Sequence, residues 1–205
     1  MLLRRVIEHV REQNWIAIGI DFAIVVVGVY LGIQVSNWNA ERENRQRGVE
    51  FGARLRADLR EESWLHQFMY EYYRDVLASA ERTVDALAGK APLSNHDFLV
   101  NAYRATQYRS GARTRSTYDE LISTGSLGLI KDQKLLDIAA RTYRISTLEN
   151  LVRESVESPY RQAFRMGIPN DVQRELVRRC GDRYIKPGDY QGIAEVQGYP
   201  CTLEL

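Results

Sequence analysis

The residues able to do chemistry are few and poorly grouped. The sequence holds two cysteines, Cys180 and Cys201, and three histidines, His9, His66 and His96. So few imidazoles leave His-based acid–base catalysis with almost no players. His66 follows Glu62 by four residues, which sets both on one helix face. Di-metal carboxylate bundles repeat a Glu-x-x-His spacing on partner helices, and no second copy occurs here. The pair is therefore expected on a solvated face. GSLGLIK, from Gly125 to Lys131, lacks the glycine gap and the Lys-Ser/Thr ending of a phosphate loop. Gly125 is expected instead to end a helix in the left-handed conformation. No G-x-S-x-G elbow and no dinucleotide fingerprint is present. These absences leave no catalytic residue, metal or cofactor to assign, and no enzyme activity is expected.

The cysteines flank GDRYIKPGDYQGIAEVQGYP, a segment rich in Gly and Pro with little apolar surface of its own. A disulfide across it would contribute roughly 3 kcal/mol by restricting the unfolded chain. Such a bond persists only in an oxidising compartment such as a periplasm. Two unrelated reduced thiols are the alternative.

One acid stands where acids are rare. Asp21 lies inside WIAIGIDFAIVVVGVYLGIQV, Trp15 to Val35, which is otherwise apolar. As a helix this run of roughly 21 residues rises about 31 Å, the hydrocarbon thickness of a bilayer. Trp15 and Trp38 bracket it like interfacial aromatic belts. A cleaved signal peptide would have a shorter apolar region and a small-x-small exit, whereas the exit here reads GIQVSNWNAE. The reading is an uncleaved single-pass anchor in contact with the lipid bilayer.

Asp21, Val25, Gly28, Gly32 and Val35 recur at intervals of four and three, so they share one face. Gly28 and Gly32 form a small-x-x-x-small pair that permits close helix approach. An acid in hydrocarbon costs on the order of 3 kcal/mol and faces a partner or water. The stripe is therefore expected to associate laterally, in a homodimer or with another membrane protein.

The elements that carry these residues follow from periodicity and punctuation. A short basic amphipathic leader, 1–14, presents Leu3, Val6, Ile7 and Val10 on one face. The anchor occupies 15–37, a helical extramembrane domain 38–170, and a short helix with a turn-rich tail 171–205. A long helix leaves the bilayer and ends near Gly89. Ser94 to Asp97 caps a second helix running through Gln107 to a break at Gly111. Ser116 opens a short third, and Asp132 a long fourth reaching Val156, with Pro159 kinking or ending it. A last short helix covers Val172 to Arg179. The fold class expected is all-α, a single N-terminal transmembrane helix followed by an irregular antiparallel helical bundle.

Charge argues about partners. The 28 basic and 27 acidic side chains nearly cancel, and the arginines are scattered, so no nucleic acid partner is expected. A mean hydropathy of −0.39 conceals the segregated anchor. Arg4, Arg5 and Arg11 precede the anchor and Arg42, Arg45 and Arg47 follow it, so the positive-inside bias alone mildly favours a cytoplasmic domain. A short basic leader before one span is, however, the usual form of a signal anchor. Together with the cysteines it favours a domain outside the cytoplasm. Tyr70, Tyr72, Tyr73 and Arg74, then Tyr103, Arg104, Tyr108 and Arg109, fit ring packing in a bundle better than a dedicated recognition surface.

GIQVSNWNAER at the membrane exit and STYDELISTGSLGLIKD in the middle resemble an uncharacterised family of bacterial single-pass inner-membrane proteins. That family has an anchor ending G-I-Q-V-x-N-W-N and a helical domain with a T-Y-x-E-L-x-S-x-G-x-L segment. The resemblance reaches to about Tyr143 and leaves out the Cys180–Cys201 tail. It implies a bacterial inner membrane and an all-helical domain, and brings no activity. The function expected is a membrane-anchored interaction module, a scaffold or accessory subunit. The alternative is an extracytoplasmic ligand-sensing domain acting through a membrane partner, its small-molecule ligand unspecified.

Overall fold

The computed structural model describes residues 15–203, so the amphipathic leader expected at 1–14 lies outside the described residues. The chain is all-α, with no strand among the described residues. Its helices are α1 (Trp15–Leu87), α2 (Asn95–Arg104), α3 (Ser116–Ser123), α4 (Gln133–Arg144), α5 (Thr147–Val156), α6 (Pro159–Gly167) and α7 (Asn170–Cys180). Short 3-10 turns cover Ser126–Leu129 and Gly192–Glu195. Contacts divide the chain into two compact units, one of Met1–Phe51 with Gly128–Lys131, the other of Gly52–Leu127 with Asp132–Leu205.

The 73 residues of α1 are uninterrupted because no proline occurs before Pro92. Its end is local chemistry: Gly89 adopts φ 70°, a left-handed conformation that costs glycine nothing. In the first unit an 18-residue window of α1 has a mean hydropathy of 2.4 with none of its residues buried, so this helix is a candidate span. Further along, Gly48 is buried because the Leu129 carbonyl lies against it; a Cβ there would overlap that oxygen. Phe51 and Ile130 of this unit are also buried.

In the second unit, helix starts follow the expected caps. Asp97 N–H donates to Ser94 Oγ at 3.0 Å while Ser94 Oγ donates back to Asp97 Oδ2 at 2.8 Å. Leu135 N–H donates to Asp132 Oδ1 at 3.1 Å. Gly125, at φ 66°, closes α3 as anticipated. Helix α2 stops at Arg104, short of Gln107, because Thr106 Oγ1 (2.6 Å) and Gln107 Nε2 (3.2 Å) both donate to the Tyr103 carbonyl.

Other expected helix bounds need correction. The single helix from Asp132 to Val156 is two, separated at Ile145–Ser146, where Ile145 is extended. Arg113 causes the break: it donates to the Thr142 carbonyl at 2.8 Å and the Ile145 carbonyl at 2.6 Å, taking acceptors that a continuing helix would use. Pro159 opens a helix rather than kinking one, since its missing N–H is harmless at the first helical position. Helix α7 begins two residues before Val172, directly after Pro169.

The main core clusters Trp64, Leu65, Phe68, Met69 and Tyr72 of α1 with Ile193 and Val196 of the tail. The tail is thus a packed part of this unit. A second cluster joins Val100 and Tyr103 of α2 to Leu176 and Cys180 of α7.

Candidate functional site

The cysteines close a disulfide with their Cα atoms 5.4 Å apart. Around it several Tyr and Arg side chains contact one another and the backbone. Tyr199 donates its hydroxyl to the Gly181 carbonyl. The Arg183 guanidinium lies 3.7 Å from the Tyr199 ring centroid, and Arg104 donates to the Tyr199 carbonyl at 2.6 Å. Asp182 gathers Tyr72 Oη at 2.8 Å, Gln197 Nε2 at 3.0 Å and Arg109 Nε at 3.5 Å. Burial, reinforced by the Asp182 charge, raises the Tyr72 phenol far above its ordinary range. Burial likewise pushes Tyr103 up to about 12.

Glu62 overturns the expectation of a solvated Glu62–His66 face. Its side chain is 1% exposed and faces Arg113, itself 10% exposed, at 3.2 Å. The other Glu62 oxygen accepts Thr114 N–H at 2.8 Å, and His66 Nδ1 lies 2.8 Å from the Glu62 carbonyl. Arg113 reaches Glu149 as well, at 3.2 Å. One buried ion pair therefore ties α1, the α2–α3 connection, α4 and α5 together. The signal was in the spacing: Leu55, Glu62, Leu65, Met69 and Tyr72 recur at seven, three, four and three, so Glu62 falls on the buried face.

Beside this pair a cleft of about 310 Å³ opens. Trp64, Leu65 and Phe68 line it from α1, Arg109 to Ala112 from the α2–α3 connection, and Tyr184, Ile185 and Pro187 from the disulfide-closed segment. The Trp64 and Phe68 rings stack, 5.3 Å apart and 3° from parallel. Gly111 leaves room for Leu65, whose Cδ1 would have to shift to admit a Cβ there. Periodicity did not disclose this cleft, because it is assembled from three segments far apart in the chain.

The anchor residues all lie on α1. Asp21, Val25, Gly28, Gly32 and Val35 follow one another along it, and a Cβ at Gly28 or Gly32 would meet nothing within 4 Å. Trp15 and Trp38 are both exposed. Among the described residues no cluster of three or more His, Cys, Asp or Glu could hold a metal. No family model, curated protein or solved structure matches the chain.

Proposed function

We propose that this protein is a single-pass membrane-anchored interaction module, a scaffold or accessory subunit with no catalysis of its own. The observation that carries this reading is the apolar first part of α1, whose membrane-like window has no buried residue and so offers its whole surface to lipid or a partner helix. The helices of the second unit form an irregular antiparallel bundle outside the cytoplasm. The disulfide supports that side, because a reducing cytosol would open it. The resemblance of GIQVSNWNAER and STYDELISTGSLGLIKD implies a bacterial inner membrane. Asp21, Gly28 and Gly32 form the lateral contact, where close packing lets the carboxylate reach a donor on the neighbouring helix.

Photocrosslinkers placed at Val25 and Val35 in whole membranes test this. A discrete adduct that disappears in both Asp21→Leu and Gly28→Leu supports a specific contact. Lipid adducts alone, unchanged by either substitution, would overturn it. The cleft favours a second reading, ligand sensing, in which occupancy of the second unit alters what the anchor contacts.

A further inference from the structure

We propose that the cleft beside Trp64 and Phe68 binds a small amphipathic organic cation, a flat apolar body carrying one ammonium or guanidinium group. The inference rests on the ligand-sensing reading and names the ligand class. A volume of about 310 Å³ sits at the low end for small-molecule sites and suits one or two rings. Leu65, Ile185 and Pro187 supply aliphatic surface beside the Trp64–Phe68 stack, where a flat body can displace water.

Charge sets the sign of the ligand. Only Glu61 and Arg109 bring charge to the lining. Arg109 is already committed, with Asp182 at 3.5 Å, the Arg183 carbonyl at 3.1 Å and the Phe68 ring beneath it at 5.8 Å. Asp182 thus balances it. The exposed Glu61 carboxylate accepts a neutral donor, Thr114 Oγ1, at 3.0 Å. An anion entering the cleft meets Glu61 with Arg109 neutralised, whereas a cation gains Glu61 directly. Tyr184, 82% exposed at the rim, offers a ring face to the same cation.

The test uses equilibrium dialysis of the full chain in detergent micelles with three probes of like shape: tryptamine, indole and indole-3-acetate. Tryptamine should bind saturably and about tenfold tighter than indole-3-acetate. Glu61→Gln should erase that preference, and Tyr184→Ala should weaken tryptamine several-fold, with circular dichroism unchanged in both because each side chain is exposed. Equal or tighter binding of indole-3-acetate overturns the proposal. So does a charge preference that survives Glu61→Gln, or no saturation up to about 10 mM. Tryptamine binding that leaves crosslinks from Val25 and Val35 unaltered would uphold the site and refute the sensing reading.

Discussion

Removing Arg113 should be the most damaging single change to the second unit. Its guanidinium is 10% exposed and meets a Glu62 carboxylate that is 1% exposed at 3.2 Å, so Arg113→Met strands a buried charge. Breaking such a pair from one side costs about 3–5 kcal/mol. The same substitution takes a donor from the Ile145 carbonyl and one from the Thr142 carbonyl, which keeps the Ile145 N–H at 3.3 Å. Glu62→Gln leaves the guanidinium with Glu149 at 3.2 Å as its one remaining carboxylate, while the amide oxygen can still accept Thr114 N–H. The double variant removes both charges, so it should cost less than the sum of the singles by about 1.5–3 kcal/mol. Urea unfolding of the detergent-solubilised chain, followed by far-UV circular dichroism, measures all three. A cost below about 1 kcal/mol for Arg113→Met, or additive single costs, would refute the pair as the keystone of α1, α4 and α5.

Three further outcomes follow from particular contacts. Opening the disulfide releases a loop with a sequence separation of 21, and should lower stability by about 3 kcal/mol; melting with and without reductant reads this, and an unchanged midpoint would mean that Ile193 and Val196 alone hold the tail. Gly48→Leu puts a side chain where the Leu129 carbonyl lies, so the 128–131 segment should lift and limited trypsinolysis at Lys131 should accelerate; unaltered cleavage would count against the contact. The Asp132 carboxyl is held below the usual aspartate range, first by Leu135 N–H and then by Arg56. Its folded pKa is depressed, so its contribution is fully present above the ordinary aspartate value and disappears as pH falls through the depressed one. Asp132→Asn should therefore flatten the acid limb of a midpoint-against-pH profile, and an unchanged limb would refute the linkage.

How much was legible in the sequence divides by range. Ser94, Gly125 and Asp132 announced helix ends because a cap acts on amides three residues away, and those amides are in the local sequence. The break at Ile145 was not legible, because the run from Gln133 to Val156 contains no Gly or Pro to announce it. Its cause is Arg113, which intercepts two carbonyls from another connection. Helix α6 is hidden for a different reason: Pro159 suits the kink or end of a preceding helix as well as the beginning of the next.

The candidate site shows the same division in its chemistry. Beside His66 four residues on, Glu62 looks solvated, which is a purely local comparison. Its place on the Leu55–Leu65–Met69–Tyr72 face foretold burial, and a buried acid demands a partner that the local sequence cannot name. The tail misled through composition. Its glycines and prolines suggest little packing, yet Ile193 and Val196 seat it in the cluster with Phe68 and Tyr72, with the disulfide closing the segment. The cleft then exists because Tyr184, Ile185 and Pro187 are carried there by that same tail, between the disulfide and the two core residues. A binding surface built this way depends on the disulfide for its far wall. Reduction should therefore abolish any cation preference of the cleft even under conditions where α1 remains helical.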